Sequence, residues 1–213
     1  MNDRPVSCQL YLISPPDVTG GFPDRLARAI DAGSGLVTAF QFRVKDVDQH
    51  EAARLAEPLM KICAEREVGF IVNDSVSLAK RLGADGVHLG QQDGTVKEAR
   101  EALGREAQIG VTCHASRHFA MEAGEAGADY VAFGSFFPSE TKASEHRPDS
   151  EILEWWQSIF EIPCVAIGGI APQNCKQLVR AGADFLAVSH AVWSGDEEQV
   201  VRDFVHAIED AAD

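Results

Sequence analysis

The sequence predicts an α/β fold of the TIM-barrel class, a closed (β/α)8 sheet of eight parallel strands, as a single domain over residues 1–213. Eight short apolar runs alternate with segments of helical pattern, and no linker or low-complexity stretch interrupts them. The tripeptide Gly-Ala-Asp recurs three times, each time directly before an apolar run. The length also suits one such barrel. A doubly wound open sheet is the alternative, but Ser14-Pro15-Pro16 stands where that fold carries its glycine-rich phosphate turn.

The Gly-Ala-Asp repeats begin at Gly83, Gly127 and Gly182, and Gly33 precedes a looser version of the pattern. We expect each of these glycines to end a helix in the left-handed conformation, which glycine adopts at little cost. The runs that follow are too short and too continuously apolar for exposed strands. They are therefore expected to be buried on both faces, as in a parallel sheet.

Three helices carry clear signals. Glu51–Arg66 places its apolar residues three and four apart, on one face. Pro172–Ala181 has a proline near its first turn and a glycine after its end, and Glu197–Ala212 is a closing amphipathic helix. The predicted strands, in chain order, are Gln9–Ser14, Thr38–Arg43, Gly69–Asp74, Gly86–Gly90, Ala107–Cys113, Tyr130–Gly134, Pro163–Gly169 and Phe185–Ser189.

The composition excludes several classes of partner. A net charge of -14 argues against nucleic acid and against an anionic membrane surface, because both require a basic footprint. The five cysteines form no metal-type or disulfide-type spacing, and their odd number fits a reducing cytoplasm. The polar start predicts no signal peptide, and no apolar run has the roughly 20 residues of a membrane span. We expect a cytoplasmic protein with small-molecule ligands, in which a homo-oligomer is plausible.

Catalytic groups of a barrel lie at the carboxyl ends of its strands, so these ends locate the expected site. Two cations, Arg43 and Lys45, follow the second strand, and Lys142 follows the sixth. Three converging cations on an acidic protein indicate a polyanionic ligand such as a diphosphate. The alternative is a solvated strand end whose cations pair with Asp46 or Asp48.

Two carboxylates, Asp74 and Asp93, follow the neighbouring third and fourth strands. Together with diphosphate oxygens they suit Mg²⁺, which takes a few protein oxygens and leaves its other positions to phosphate and water. The alternative for each is a helix N-cap, because a helical pattern begins shortly after each of them.

A second phosphate site is predicted at Gly168-Gly169, where amide groups after the seventh and eighth strands form the usual phosphate cradle of this fold. Ser189 would add a donor, while a purely structural glycine turn is the alternative. His88 lies inside a strand and is interpreted as a hydrogen-bonded core histidine, whereas His114 at a strand end could be either structural or catalytic.

These motifs resemble the thiamine phosphate synthase family from Leu10 to about Phe204. The family's strand-end motifs correspond to Gln41-Phe42-Arg43-Val44-Lys45, Asn73-Asp74, His88-Leu89-Gly90-Gln91-Gln92-Asp93, Gly110-Val111-Thr112-Cys113-His114, Pro138-Ser139-Glu140-Thr141-Lys142, Gly168-Gly169-Ile170 and Val188-Ser189.

The resemblance implies a transferase that joins hydroxymethylpyrimidine diphosphate to a thiazole phosphate, releases pyrophosphate and uses Mg²⁺. It implies Mg²⁺ ligands at Asp74 and Asp93 and catalytic roles for Arg43, Lys45 and Lys142. The implied pyrimidine diphosphate contacts are Gln41, Phe42, Arg43, Val44, Lys45, Asn73, Thr112 and Lys142. The implied thiazole phosphate contacts are Ser139, Glu140, Thr141, Gly169, Val188 and Ser189.

Some residues depart from the family pattern. Val44 replaces a glutamate, Ser139 a threonine and Ser135 a proline, and His190 stands where a small residue is usual. Three other functions therefore stay open: a thiazole tautomerase with His114 as its acid or base, a Schiff-base lyase using Lys45 or Lys142, and a non-catalytic phosphate-ligand sensor. The two carboxylates and Lys142 favour the synthase.

Overall fold

A computed structural model describes residues 8–138 and 147–212, and its sheet is a closed parallel barrel in which each strand pairs with the next and β8 pairs with β1. The predicted fold class is confirmed. The eight strands are β1 Gln9–Ile13, β2 Val37–Phe42, β3 Gly69–Asn73, β4 Gly86–Leu89, β5 Gln108–His114, β6 Tyr130–Gly134, β7 Cys164–Ile167 and β8 Phe185–Val188.

Helices on the outside of the barrel connect each strand to the next, and two more helices follow β8. They are α1 Phe22–Ala32, α2 Gln49–Ala64, α3 Val76–Leu82, α4 Val96–Leu103, α5 Arg117–Glu125, α6 Glu151–Ile159, α7 Lys176–Arg180, α8 His190–Trp193 and α9 Glu197–Ala212. In the described part of the chain, no helix is both long enough and apolar enough to cross a bilayer.

Apolar side chains form two separate cores, because every strand is buried on both faces. The larger core lies between the sheet and the surrounding helices, and its bulkiest members include Phe40, Phe133 and Trp156. The smaller core fills the lumen of the barrel and comes from strand residues alone, namely Tyr11, Ile13, Ile71, Tyr130, Ala132, Val165 and Ala187. The lumen is therefore a packed interior, and we expect a ligand to bind at the carboxyl ends of the strands rather than inside the barrel.

The aspartates of the three Gly-Ala-Asp repeats tie pairs of strands together at the amino ends. Asp85, directly before β4, accepts a hydrogen bond from the amide of Phe70 in β3 at 2.7 Å. Asp129 accepts from the amide of Ile109 at 2.6 Å, and Asp184 from the amide of Cys164 at 2.8 Å. We call these three side chains the strand clasps. Catalytic groups of a barrel lie at the opposite, carboxyl ends of its strands, so we assign these aspartates to stability rather than to chemistry.

The glycines of the repeats have the expected positive φ, at +63° for Gly83, +88° for Gly127 and +95° for Gly182. Gly33 is the exception: its φ is -78°, so the expectation of a left-handed glycine was wrong there. A side chain on Gly33 would collide with Val37, at 2.5 Å from its Cγ2 atom. Close packing therefore accounts for the glycine at that position.

The predicted helix Pro172–Ala181 is shorter than expected, because only Lys176–Arg180 is helical. Asn174 organises the preceding turn: its Oδ1 accepts from the Ala171 amide at 2.9 Å, and its Nδ2 donates to the Gly169 carbonyl at 3.0 Å. The segment before the helix therefore supports the glycine turn after β7.

Candidate active site

Ser14, a buried residue directly after β1, holds the end of β2 by hydrogen bonds. The amide of Arg43 donates to Ser14 Oγ at 2.8 Å, and that hydroxyl donates to the Arg43 carbonyl at 3.2 Å. Val44 packs against the core between sheet and helices. Valine in place of the family's glutamate therefore changes the packing at the end of β2, while Arg43 and Lys45 keep their charges.

The suggested pairing of these cations with nearby aspartates was wrong. Asp48 instead caps α2, accepting from the amides of His50 and Glu51 at 2.8 and 2.9 Å. Among the described residues, no carboxylate oxygen lies within 4.0 Å of an Arg43 or Lys45 side-chain nitrogen. Within the part of the chain that the structure describes, no carboxylate neutralises either cation.

Asp74 and Asp93 lie together at the ends of β3 and β4. Burial raises the pKa of Asp74, and the charge of the adjacent Asp93 carboxylate raises it further, while Lys45 and Arg43 oppose the shift. One electrostatic environment therefore joins all four side chains. The amide of Gly90 donates to Asp93 Oδ2 at 2.9 Å and orients that carboxylate.

The helix-cap alternative for the two aspartates was wrong. Ser75 caps α3 by accepting from the amide of Leu78, and Thr95 caps α4 through a reciprocal capping box with Glu98. Asp74 itself has a left-handed backbone, with φ of +64°, which is unusual for a residue other than glycine. Both carboxylates are therefore left for another role.

The donor set fits a hard divalent cation. Two carboxylates that repel each other bind such a cation favourably, because its charge relieves the repulsion. Within the described residues, no cluster of three or more His, Cys, Asp or Glu side chains is placed to hold a metal. A cation bound by Asp74 and Asp93 would therefore keep positions for phosphate and water.

Five polar side chains form a buried hydrogen-bonded chain across the barrel, which we call the lumen network. Gln41 Nε2 lies 3.1 Å from the hydroxyl of Tyr11, which lies 2.9 Å from that of Tyr130. His88 lies 3.0 Å from the Tyr130 hydroxyl through Nδ1 and 2.8 Å from Thr112 Oγ1 through Nε2. His88 is thus a hydrogen-bonded core histidine, as expected. Burial lowers its pKa to about 4.

Tyr11 and Tyr130 are members of the network that the strand-end motifs did not predict. Each lies beside apolar residues in a buried strand, and a buried tyrosine hydroxyl requires a partner. That signal was available, but the partners lie 119 residues apart in the chain.

The glycine pair after β7 packs against the segment that follows β6. A Cβ atom on Gly168 would lie 2.0 Å from Ser135 Oγ, and one on Gly169 would lie 2.3 Å from the Pro138 carbonyl oxygen. The backbone is also joined there, since the Phe137 amide donates to the Gly168 carbonyl at 3.0 Å. Close packing therefore explains why both residues are glycines. Their backbone amide groups could still donate hydrogen bonds to an anion.

Three predicted contact residues have side chains directed into the protein. Phe42 is 1 % exposed and stacks on Phe70, Val188 is 2 % exposed, and Val44 packs on the core. Their contacts with a ligand would be made by the backbone. Ser189 Oγ lies 3.4 Å from the Ser14 carbonyl oxygen, which joins the ends of β8 and β1. The predicted residues Ser139, Glu140, Thr141 and Lys142 lie outside the described residues.

Comparison with known proteins gives one consistent result. The family model described as thiamine monophosphate synthase matches residues 10–192. The chain belongs to the thiamine monophosphate synthase family. A thiamine-phosphate synthase of Erythrobacter litoralis is 70% identical over 210 residues, covering 98% of this chain and 99% of the relative. One of Rhodospirillum centenum is 52% identical over 188 residues, or 88% of this chain and 90% of the relative.

Solved structures agree with this membership in the thiamine monophosphate synthase family. The thiamine phosphate pyrophosphorylase of Pyrococcus furiosus superposes with a TM-score of 0.84 at 28% identity, covering 96% of this chain and 97% of that one. The family resemblance expected from the strand-end motifs is therefore confirmed.

Proposed function

We propose that this chain is a thiamine-phosphate synthase that joins hydroxymethylpyrimidine diphosphate to thiazole phosphate. The bond between the exocyclic carbon and the diphosphate oxygen breaks, and its electron pair leaves on pyrophosphate. The thiazole nitrogen then forms the new carbon–nitrogen bond with its lone pair. A thiazole that carries a carboxylate also loses CO2.

The observation that carries this proposal is the shared environment of Arg43, Lys45, Asp74 and Asp93. All three of the other side chains shift the pKa of Asp74, the carboxylate upward and the two cations downward. A site with both signs of charge suits a diphosphate that arrives with a divalent cation. Membership in the family supports the same substrate class.

The chain's own groups act on the leaving charge. Arg43 and Lys45, with Lys142 as a third cation, would stabilise the negative charge that develops on the departing pyrophosphate. Asp74 and Asp93 would hold Mg²⁺, which when bound neutralises diphosphate charge. Asn73 would donate to the same diphosphate.

The second substrate would lie on the other side of the rim. The backbone at Gly169, Val188 and Ser189, with Ser139, Glu140 and Thr141, would bind the thiazole phosphate and hold the nucleophilic nitrogen close to the carbon. Gln41 and Thr112 would orient the pyrimidine, which delocalises the positive charge that develops on the exocyclic carbon.

A dissociative substitution without a covalent enzyme intermediate agrees with the buried groups nearby. Burial raises the pKa of the Cys113 thiol to about 12, which leaves it protonated and weakly nucleophilic. Both ring nitrogens of His88 are already engaged in the lumen network. Neither side chain is therefore suited to form a covalent intermediate by acyl or phosphoryl transfer.

The same proposal includes a cytoplasmic location and small phosphorylated partners. The five cysteines are buried and unpaired, which suits a reducing compartment. A homo-oligomer is a further prediction, which light scattering on the purified chain would test.

The test combines the purified protein with both substrates, with and without Mg²⁺, and follows thiamine phosphate and pyrophosphate together. We expect equal amounts of both products and a requirement for Mg²⁺. Asp93→Asn should lower the Mg²⁺-dependent rate by about 100-fold. The matched control is Asp210→Asn on the exposed surface of α9, which should leave the rate unchanged.

The other outcomes would contradict the proposal in distinguishable ways. Isomerisation of a thiazole phosphate alone without metal would indicate the tautomerase. Binding of both ligands without product would indicate a sensor. An unchanged rate in Asp93→Asn would remove the metal assignment while leaving the reaction intact.

A further inference from the structure

The lumen network has a defined donor and acceptor at every step. Gln41 directs its Nε2 group, which can only donate, at the Tyr11 hydroxyl. Tyr11 therefore accepts from Gln41 and gives its single proton to Tyr130, the other polar group within reach. The opposite order would leave the buried Tyr11 proton without an acceptor, which is costly.

The order continues through the histidine to the far strand. Tyr130 accepts from Tyr11, so its own proton goes to His88 Nδ1. An Nδ1 atom that accepts requires the neutral ring with its proton on Nε2. That Nε2–H group donates to Thr112 Oγ1, so the Thr112 hydroxyl proton points away from the network.

The two ends of the network therefore present fixed and opposite groups. Every fully buried side-chain nitrogen or oxygen of the described residues has a hydrogen-bond partner. Gln41 is 3 % exposed, and its Oε1 atom has no hydrogen-bond partner among the described residues. Gln41 thus offers an acceptor, and Thr112 offers a donor.

This polarity matches one form of the pyrimidine. An aminopyrimidine carries a donor in its exocyclic amino group and acceptors in its unprotonated ring nitrogens. The analogue with an oxo group in place of the amino group reverses both, because it has an acceptor oxygen and a protonated ring nitrogen. A site of fixed polarity rejects a ligand that leaves its polar groups unpaired.

We propose that Tyr11, Tyr130 and His88 are positioning residues that fix the hydrogen-bond polarity of Gln41 and Thr112 and so select the amino form of the pyrimidine over its oxo form. This inference rests on the proposed function for the identity of the ligand. The order of protons in the network is independent of that function and is tested separately.

The first experiment compares kcat/KM for the amino substrate and its oxo analogue in Tyr130→Phe and in the unmodified protein. The variant keeps the aromatic ring but breaks the network, so Gln41 can rotate its amide and Thr112 can accept. We expect the preference for the amino substrate to fall about 10- to 100-fold. The matched control is Ile71→Val, which trims the same lumen core without touching the network.

A purely structural role for Tyr130 would lower kcat/KM for both substrates equally and leave their ratio unchanged, and that result would overturn the proposal.

The second experiment records nitrogen NMR spectra of the folded protein with labelled histidine, with the His88 signals assigned by comparison with His88→Gln. We expect an unprotonated Nδ1 and a protonated Nε2.

The opposite tautomer would overturn the proposed order of protons whatever the enzyme catalyses. If the tautomer is as expected but neither substrate is turned over, binding of the hydroxymethylpyrimidine and of its oxo analogue is compared by calorimetry. Stronger binding of the amino form would support the inference and leave the proposed reaction refuted. Equal binding of the two forms would refute the inference.

Discussion

Replacing Gly90 by alanine should disturb the proposed cation site without unfolding the barrel. A Cβ atom on Gly90 would lie 2.6 Å from Asp93 Oδ2, the atom that accepts the Gly90 amide at 2.9 Å. Ordinary contact with a methyl group begins at 3.4 Å, so the carboxylate has to move by about 0.8 Å. Metal ligands tolerate displacements of about 0.2 Å.

The displacement should have a measurable effect on Mg²⁺ binding. A hydrogen bond to a charged group contributes about 1.5–3 kcal/mol, and lost orientation of a ligand costs about 10- to 100-fold in metal affinity. We therefore expect Gly90→Ala to raise the Mg²⁺ concentration for half-maximal activity by about 10- to 100-fold. Activity at saturating Mg²⁺ should recover at least in part, because no charge is removed.

The assay is a Mg²⁺ titration of pyrophosphate release, with the melting temperature of the metal-free protein measured beside it. Gly195→Ala is the matched control, since nothing lies within 4 Å of its added Cβ atom. A Gly90→Ala protein with normal stability and an unchanged Mg²⁺ requirement would show that Asp93 does not bind the cation.

Three further changes should act on stability or on the second substrate. Asp129→Asn replaces a charged acceptor for the Ile109 amide and breaks the ion pair with Arg100. Urea unfolding should therefore show a free energy of unfolding lower by about 2–3 kcal/mol, with KM values unchanged. A variant as stable as the unmodified protein would contradict the role of this strand clasp. Burial lowers the pKa of His88 from 6.5 to about 4, so the unfolded chain binds the proton first and stability falls as pH drops from about 6.5 towards 4. At pH 5 the stability lost in this way is about 2 kcal/mol. In His88→Gln, urea unfolding curves at pH 7 and 5 should lack this loss. If the variant shows the same pH dependence as the unmodified protein, His88 is not its cause. Gly169→Ala, at φ of +64°, should raise KM for thiazole phosphate more than KM for the pyrimidine diphosphate, and equal changes in steady-state kinetics would contradict the proposed phosphate cradle.

Much of the fold was predictable from local pattern. Strands buried on both faces leave continuous apolar runs, so predicted and observed strand ends agree within two residues. The helix at Pro172 was overextended because the side chain of Asn174, bonded to Gly169, shapes a turn that no apolar periodicity records.

The site was predictable where its chemistry follows a strand directly. Arg43, Lys45, Asp74 and Asp93 were identified because strand ends of a barrel meet at one rim. The lumen network was not, because the hydroxyls of Tyr11 and Tyr130 find each other only when the sheet closes. The function of the repeated aspartates was missed for the same reason, since each bonds to an amide 15 to 20 residues earlier.

The strand clasps also divide the barrel into modules. They join β3 to β4, β5 to β6 and β7 to β8, so the repeating unit is two strands rather than one. For circular permutation, new chain ends at Gly104, in the connection between two modules, leave all three clasps uncut. New ends at Ala128 would separate Asp129 from the glycine that sets its turn. We therefore expect circular permutation to be tolerated in the connections between these pairs of strands rather than within a pair.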